Sequence, residues 1–224
     1  MKTLAILPVK RYARAKQRLA PELDNDARAA LAEAMVRDVL RALARVEDLA
    51  GLILVTQEPR AAALGPAFGA VVVGDPEEEG QSEAAGLGIA RARQLGAERV
   101  LLLPGDCPAL EPGEVDALLR AHTGSPSVVI VPDRHGSGTN ALLLSPPDVI
   151  APAFGPGSFT RHREAAQLAG VSLVVDGPPS IVLDIDTGGD LAALREARER
   201  LPPLGTLIAL DSLERGEGVA FAGG

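Results

Sequence analysis

Three aspartates stand where this chain could do chemistry. Asp106 follows the apolar run Val100-Leu101-Leu102-Leu103, and Asp184 and Asp186 close a second run, Ser180-Ile181-Val182-Leu183. Read as buried strands, both runs end in carboxylates. Alternate residues of a strand share a face, so Asp184 and Asp186 would project together, roughly 6.5–7 Å apart at ~3.3 Å per residue. Two like charges on one face repel unless a cation neutralises them. Mg²⁺ is commonly held by one or two carboxylates together with substrate phosphates. A lone Asp after a strand is ordinarily a cap or turn residue, so the weight rests on the set of three.

Positive charge gathers near the other end of the chain. Between the first apolar run and the first long helix comes Lys10-Arg11-Tyr12-Ala13-Arg14-Ala15-Lys16-Gln17-Arg18. Nucleotide-binding folds place a phosphate loop there, but this segment lacks the glycines of a GxGxxG or P-loop pattern. Any phosphate would therefore be held by Lys10, Lys16 and Arg18 rather than by a glycine cradle; a solvated basic face is the plainer alternative. Two glycine-bearing segments follow. Asp133 to Asn140 could converge backbone N–H groups on an anion or simply close a hairpin. Phe154-Gly155-Pro156-Gly157-Ser158 leads into a helix, with Ser158 expected as its N-cap and free N–H groups facing a phosphate or carboxylate. His135 and His162 lack zinc-ligand spacing and are expected to make local hydrogen bonds. Thr187 and Asp190 have the spacing of a helix cap.

Placing these residues at one site requires a particular architecture. Apolar runs at 4–7, 52–55, 71–73, 100–103, 128–131, 141–144, 171–175 and 181–183 alternate with helical patterns near 26–46, 82–95, 112–122, 158–169 and 187–200. Most of the runs read as buried strands, and the alternation is that of an α/β three-layer sandwich with a mostly parallel sheet. In such sheets the ligand crevice lies outside the carboxyl ends of the strands, where the aspartates would fall. Residues 1–202 are expected to form one domain. The tail 203–224 carries enough leucine to pack on the body or on a second subunit, with Gly216 to Gly224 expected to be mobile.

Composition narrows the classes. The 224 residues suit one domain that buries about 70% of its unfolded surface. Cys107 is the only cysteine, so no intrachain disulfide forms, and a reducing cytoplasm is the expected compartment. No apolar run reaches the ~20 residues that cross a bilayer. A formal charge of −8, one Tyr, four Phe and no Trp disfavour nucleic acid as a partner. An anionic small substrate would need local Lys, Arg, metal or helix N-termini.

Taken in order, Pro8-Val9-Lys10 with Ala15 to Leu19, Gly105-Asp106-Cys107-Pro108, Pro132-Asp133 through Gly138-Thr139-Asn140-Ala141-Leu142, Phe154 to Phe159 with His162, and Leu183-Asp184-Ile185-Asp186-Thr187 resemble the motifs of a known family. These are the 2-phospho-L-lactate and phosphoenolpyruvate guanylyltransferases of coenzyme F(420) biosynthesis. The resemblance runs from about Thr3 to Leu194. It implies a Rossmann-like nucleotidyltransferase fold of the nucleotide-diphospho-sugar transferase type. It also implies transfer of GMP from GTP to a phosphorylated three-carbon acid, phosphoenolpyruvate being favoured, and a hand-off to the pathway's next transferase. Carried over by position, Asp106, Asp184 and Asp186 look like ligands of Mg²⁺, two ions being expected. Thr139, Gly155 and Ser158 look like contacts to the acid, and Lys16 would face the triphosphate and, with Asp106, serve catalysis. Gly80 and Ser82 fall beside the base, where Gly80-Gln81-Ser82 departs from the family's common Gly-Leu-Asn. The apolar tail would suit a homodimer. A molybdopterin- or sugar-phosphate nucleotidyltransferase would carry a glycine-rich first loop instead, and a glycosyltransferase would rest on the weak Asp-Ile-Asp alone. A GTP-binding regulator would not need all the acids.

Overall fold

In a computed structural model describing residues 1–219, the order along the chain is β1 (Thr3–Val9), α1 (Asn25–Leu43), β2 (Gly51–Thr56), α2 (Pro59–Leu64), β3 (Ala70–Val73), α3 (Gln81–Gln94), β4 (Arg99–Leu102) and α4 (Pro112–Ala121). The second half contains β5 (Ser127–Pro132), β6 (Thr139–Ser145), α5 (Ser158–Leu168), β7 (Ser172–Val175), α6 (Pro179–Val182), α7 (Gly188–Glu196) and α8 (Gly205–Glu214). Seven strands form one sheet in the order β3-β2-β1-β4-β6-β5-β7. Pairing is parallel except where β6 runs antiparallel to β4 and to β5. The reversal of β6 puts its first residues, Thr139 and Asn140, at the same sheet edge as the carboxyl ends of β1, β4 and β5.

Side-chain alternation on the central strands builds two apolar layers. Ala5 and Leu7 of β1 pack with Val39, Leu40 and Leu43 of α1 and Leu118 of α4. Leu4 and Ile6 face the other way, toward Ala85 and Ile89 of α3 and Ala166 of α5. Helices on both faces make the three-layer sandwich. Two of the expected buried strands are edges instead: Val71 and Val72 of β3 are 36% and 37% exposed, and Val175 of β7 is 50% exposed. Each has one strand neighbour, and on β3 the exposure reaches both faces, since the adjacent Val71 and Val72 point opposite ways.

The largest departure from the sequence reading concerns Ile181 to Leu183. This run is not a strand: Pro179–Val182 form a single helical turn and Leu183 onward is irregular until Thr187 caps α7. The physical reason is local. Pro178 and Pro179 remove two backbone donors and fix φ, which opens a helical turn and prevents sheet pairing. Asp184 and Asp186 therefore sit on a loop, and the strand spacing expected for them does not apply.

A third apolar cluster anchors that loop. Ile185, between the two acids, is fully buried with Leu19 before α1, Leu31 and Met35 of α1, Leu191 and Leu194 of α7, and Leu204, Leu207 and Leu210 at and in α8. Asp38, itself buried on α1, fixes the start of α8 by accepting the N–H groups of Gly205 (3.0 Å) and Thr206 (2.8 Å) and the Thr206 hydroxyl (2.8 Å). Of the expected mobile end, 220–224 lie outside the described residues. No helix among the described residues is long and apolar enough to cross a membrane.

The close packing of α3 on the sheet depends on Gly88. A Cβ there would stand 2.3 Å from Ile6 Cγ2 and 3.1 Å from Val55 Cγ2. Gly88→Ala is expected to cost about 1–3 kcal/mol through overpacking, read as a lower urea midpoint at unchanged m-value.

Candidate active site

Strand order reverses between β1 and β4, and that switch point is where open α/β sheets bind ligands. A cavity of about 830 Å³ opens there, lined by Lys10, Lys16 and Arg18 after β1, Gly105 and Asp106 after β4, Ser137 to Asn140 entering β6, Phe154 to Ser158 before α5, and Asp184 and Asp186. A recess of about 80 Å³, bordered by Gln57, Asp75, Glu78 and Gly80, shares Pro8, Lys10 and Gln81 with it. All but two of the candidate site residues thus meet in the larger cavity. Gly80 borders the recess instead. Ser82 lines neither: its hydroxyl accepts the Phe154 N–H at 2.9 Å and ties α3 to the glycine turn.

Lys16 is the centre of the acidic end. Its Nζ lies 2.7 Å from Asp106 Oδ2 and 3.1 Å from Asp186 Oδ1, with the side chain only 6% exposed. Burial disfavours the ammonium, but the carboxylates of Asp106 and Asp186 outweigh it and hold the pKa above the ordinary lysine value. Lys16 reaches this position with φ +53, the left-handed region that non-glycine residues seldom occupy. Arg18, largely exposed, stands 3.6 Å from Asp186 Oδ2.

Backbone and amide bonds bring the acidic loops together. The Ile185 N–H donates to the Asp106 carbonyl at 3.0 Å. Buried Asn140 turns its amide N–H groups on the carbonyls of Ile181 (2.9 Å) and Val182 (3.0 Å) and on Asp184 Oδ1 (3.2 Å). Asn140 has no role in the sequence reading, though a carboxamide opening an otherwise apolar buried strand was the available signal. Arg134 pairs with Asp190 at 2.7 Å, joining the β5–β6 hairpin to the start of α7, and Asp190 completes the expected capping box with Thr187.

The aspartates fit a divalent cation by donor chemistry. Asp106 Oδ1 is buried without a hydrogen-bond partner, an acceptor left over for a ligand. Burial first, and then the charges of Asp106 and Asp186, raise the Asp184 carboxyl above its usual range. Among the described residues no three His, Cys, Asp or Glu side chains already converge as a metal cage, since Lys16 supplies the cation between two of the acids. Cys107 is fully buried, its thiol driven up by burial and by Asp106, and it donates to the Ile181 carbonyl. It is a packing residue.

The glycine turn is shaped from behind. Gly157, at φ +75, is the N-cap of α5, so Ser158 is the first helical residue and not the expected cap. Only a residue tolerant of the left-handed region closes the turn this tightly. Arg161 donates to the carbonyls of Ala153, Phe154, Gly155 and Pro156, drawing those oxygens away from the cavity.

Solved structures with this arrangement of elements share its fold. A putative nucleotide-diphospho-sugar transferase from Desulfovibrio desulfuricans superposes with a TM-score of 0.73 at 21% identity, covering 96% of this chain and 98% of that one. A nucleotidyl transferase from Methanothermobacter gives 0.60 at 21% identity, covering 89% and 98%. The fold is that of the nucleotide-diphospho-sugar transferases. Residues 3–195 match the family described as "Guanylyl transferase CofC like". A phosphoenolpyruvate guanylyltransferase of Conexibacter woesei is 50% identical over 197 residues, 88% of each chain, and one of Sphaerobacter thermophilus is 38% identical over 194 residues, 87% of this chain and 93% of that one. The chain belongs to the CofC-like guanylyl transferase family.

Because the Asp184 carboxyl titrates higher in the folded chain than in the unfolded one, its ionisation at neutral pH costs native stability, and a fall in pH through the raised value relieves that cost. Asp184→Asn is therefore expected to match or exceed the unsubstituted protein in thermal midpoint at pH 7 with chelator present. A lower midpoint would show that the Asp184 charge stabilises the loop.

Proposed function

We propose that this chain transfers GMP from GTP to the phosphate of phosphoenolpyruvate and releases pyrophosphate. One observation carries the reading: acids, basic segment and glycine turn, distant in sequence, border a single cavity at the strand-order reversal. Family membership and the names of the relatives agree with it.

The residues suffice for the chemistry. A phosphate monoester, with a second pKa of about 6, is mostly dianionic at neutral pH, so its oxygen attacks the α-phosphorus of GTP without a protein base. The bond from the α-phosphorus to the α–β bridging oxygen breaks, and pyrophosphate leaves with the electron pair. What the protein must supply is alignment and opposite charge. Lys10, Lys16 and Arg18, which line the cavity, would offset the triphosphate, and Gly80 borders the recess that would take the base. Thr139, Gly155 and Ser158 border the space left for the acid. Asp106, Asp184 and Asp186 would hold Mg²⁺, which when bound supplies further neutralisation of phosphate charge. Lys16, now between Asp106 and Asp186, would then be released toward the triphosphate. With its lone buried thiol, the enzyme would act in the cytoplasm, handing its activated acid to a second transferase; the exposed Ile208 of α8 would be available to a homodimer contact.

Pyrophosphate release with GTP and Mg²⁺ is the direct test, with phosphoenolpyruvate, 2-phospho-L-lactate and 3-phosphoglycerate offered in parallel and ATP and CTP as controls. GTP with phosphoenolpyruvate is expected to give the highest kcat/KM; preference for 2-phospho-L-lactate would replace the acid and keep the reaction. Silence with all three would turn the reading toward a molybdopterin- or sugar-phosphate transferase or a GTP-binding regulator. Asp186→Asn is expected to lower turnover below about one hundredth while circular dichroism stays unchanged; full activity in that variant would remove Asp186 from the site.

A further inference from the structure

Behind the glycine turn, His162 of α5 is entirely buried and both ring nitrogens are engaged. Nε2 lies 2.8 Å from the backbone nitrogen of Ala153. A backbone N–H can only donate, so Nε2 must present its lone pair. A neutral imidazole has one N–H, which is thereby placed on Nδ1. Nδ1 faces Thr139 Oγ1 at 3.0 Å. The hydroxyl therefore accepts from the ring, and its own hydrogen must point elsewhere. Among the described residues no carbonyl or carboxylate is placed to receive it, while Thr139 borders the large cavity. Phe154 meets the ring edge-on at 5.2 Å and 75°, which fixes its plane. Burial, then the neighbouring Arg161, lowers the imidazole pKa to about 4, so the neutral ring prevails near neutrality.

We propose that His162 is a positioning residue for the acid substrate: its Nδ1–H holds the Thr139 hydroxyl as an acceptor, so that the hydroxyl hydrogen is donated into the cavity to an anionic oxygen of the substrate. The inference rests on the reading that Thr139 borders the phosphorylated acid. It assigns two tasks to one ring, since Nε2 also anchors the glycine turn through Ala153. Rotamer freedom of a lone threonine hydroxyl would let it accept as readily as donate. The histidine takes up one of the hydroxyl's two lone pairs and leaves its hydrogen to be donated, so an acceptor-only ligand, carboxylate or phosphate, satisfies a group that a ligand without an acceptor would leave unpaired.

The test is a double-mutant cycle read through the KM of phosphoenolpyruvate at saturating GTP, together with the ¹⁵N spectrum of the histidine rings. His162→Gln keeps an acceptor within reach of the Ala153 N–H and replaces the fixed ring N–H that faces Thr139 with a rotatable carboxamide. Its KM for the acid is expected to rise about ten- to one-hundredfold, the worth of a hydrogen bond to a charged group, with the KM for GTP within about twofold. In a Thr139→Val background the same substitution should change the acid KM by less than about twofold, because the hydroxyl it orients is gone. Equal effects in both backgrounds, or parallel losses for GTP, would make His162 a structural residue and overturn the proposal. The ¹⁵N spectrum of the unsubstituted protein needs no variant to fold: a protonated Nδ1 and bare Nε2 are expected, and the opposite tautomer overturns the argument. Absence of pyrophosphate release by the unsubstituted protein with every acid would instead sink the functional reading, leaving the tautomer to be judged by the spectrum alone.

Discussion

The ammonium of Lys16 between Asp106 and Asp186 is the contact around which the rest of the cleft is arranged. It joins the segment after β1 and the end of β4, which are sheet neighbours, to the loop before α7, which no sheet pairing ties to either strand. Two carboxylates this near one another in a half-buried cleft would otherwise repel. The backbone answers to that contact: Lys16 takes up a left-handed conformation, and the bond from Ile185 to the Asp106 carbonyl sets the separation of the acidic loops. Strained residues persist where their surroundings over-determine them, and they collect at functional sites.

On the opposite wall the logic is reversed. Acceptors are withdrawn and donors are left for the ligand: Arg161 takes up four carbonyls of the glycine turn, His162 fixes the Thr139 hydroxyl, and α5 begins there with its positive dipole end. The cleft therefore has an acidic end suited to cations and a donor-rich end suited to anions. In a chain with eight more acidic than basic residues, such separation of charge must be local.

How much of this was legible in the sequence depends on the range of the interaction that decides each feature. The alternation of apolar runs and helical patterns gave the α/β sandwich, because strand and helix periods are properties of consecutive residues. The three aspartates, the basic segment and the glycine turn could be picked out by type, and the motifs resembling the guanylyltransferases placed them in order. Ile181 to Leu183 misled because a short apolar run has no period of its own, and only the two prolines before it mark the turn. The cap of α5 was misplaced by one residue because Ser158 competes with a glycine whose backbone, not its side chain, closes the turn. The role of Asn140 was missed for a different reason: the partners of its side chain are 41 to 44 residues away along the chain, and a carboxamide at the head of an apolar run does not say which loop it will hold; His162 was expected to make hydrogen bonds, but one of its partners, Thr139, is 23 residues away.

Ile185 bears on where the working unit ends. It separates the two acids of the loop, and the apolar floor beneath it includes α8, which lies beyond the 3–195 segment that matches the family. The charged groups of the cleft thus all lie within that segment, whereas part of the apolar floor that holds one of their loops lies beyond it. A chain trimmed to the shared segment would keep every charged group of the cleft and lose part of the footing of one of its loops, so the boundary drawn by sequence likeness falls inside the smallest piece that can be expected to work.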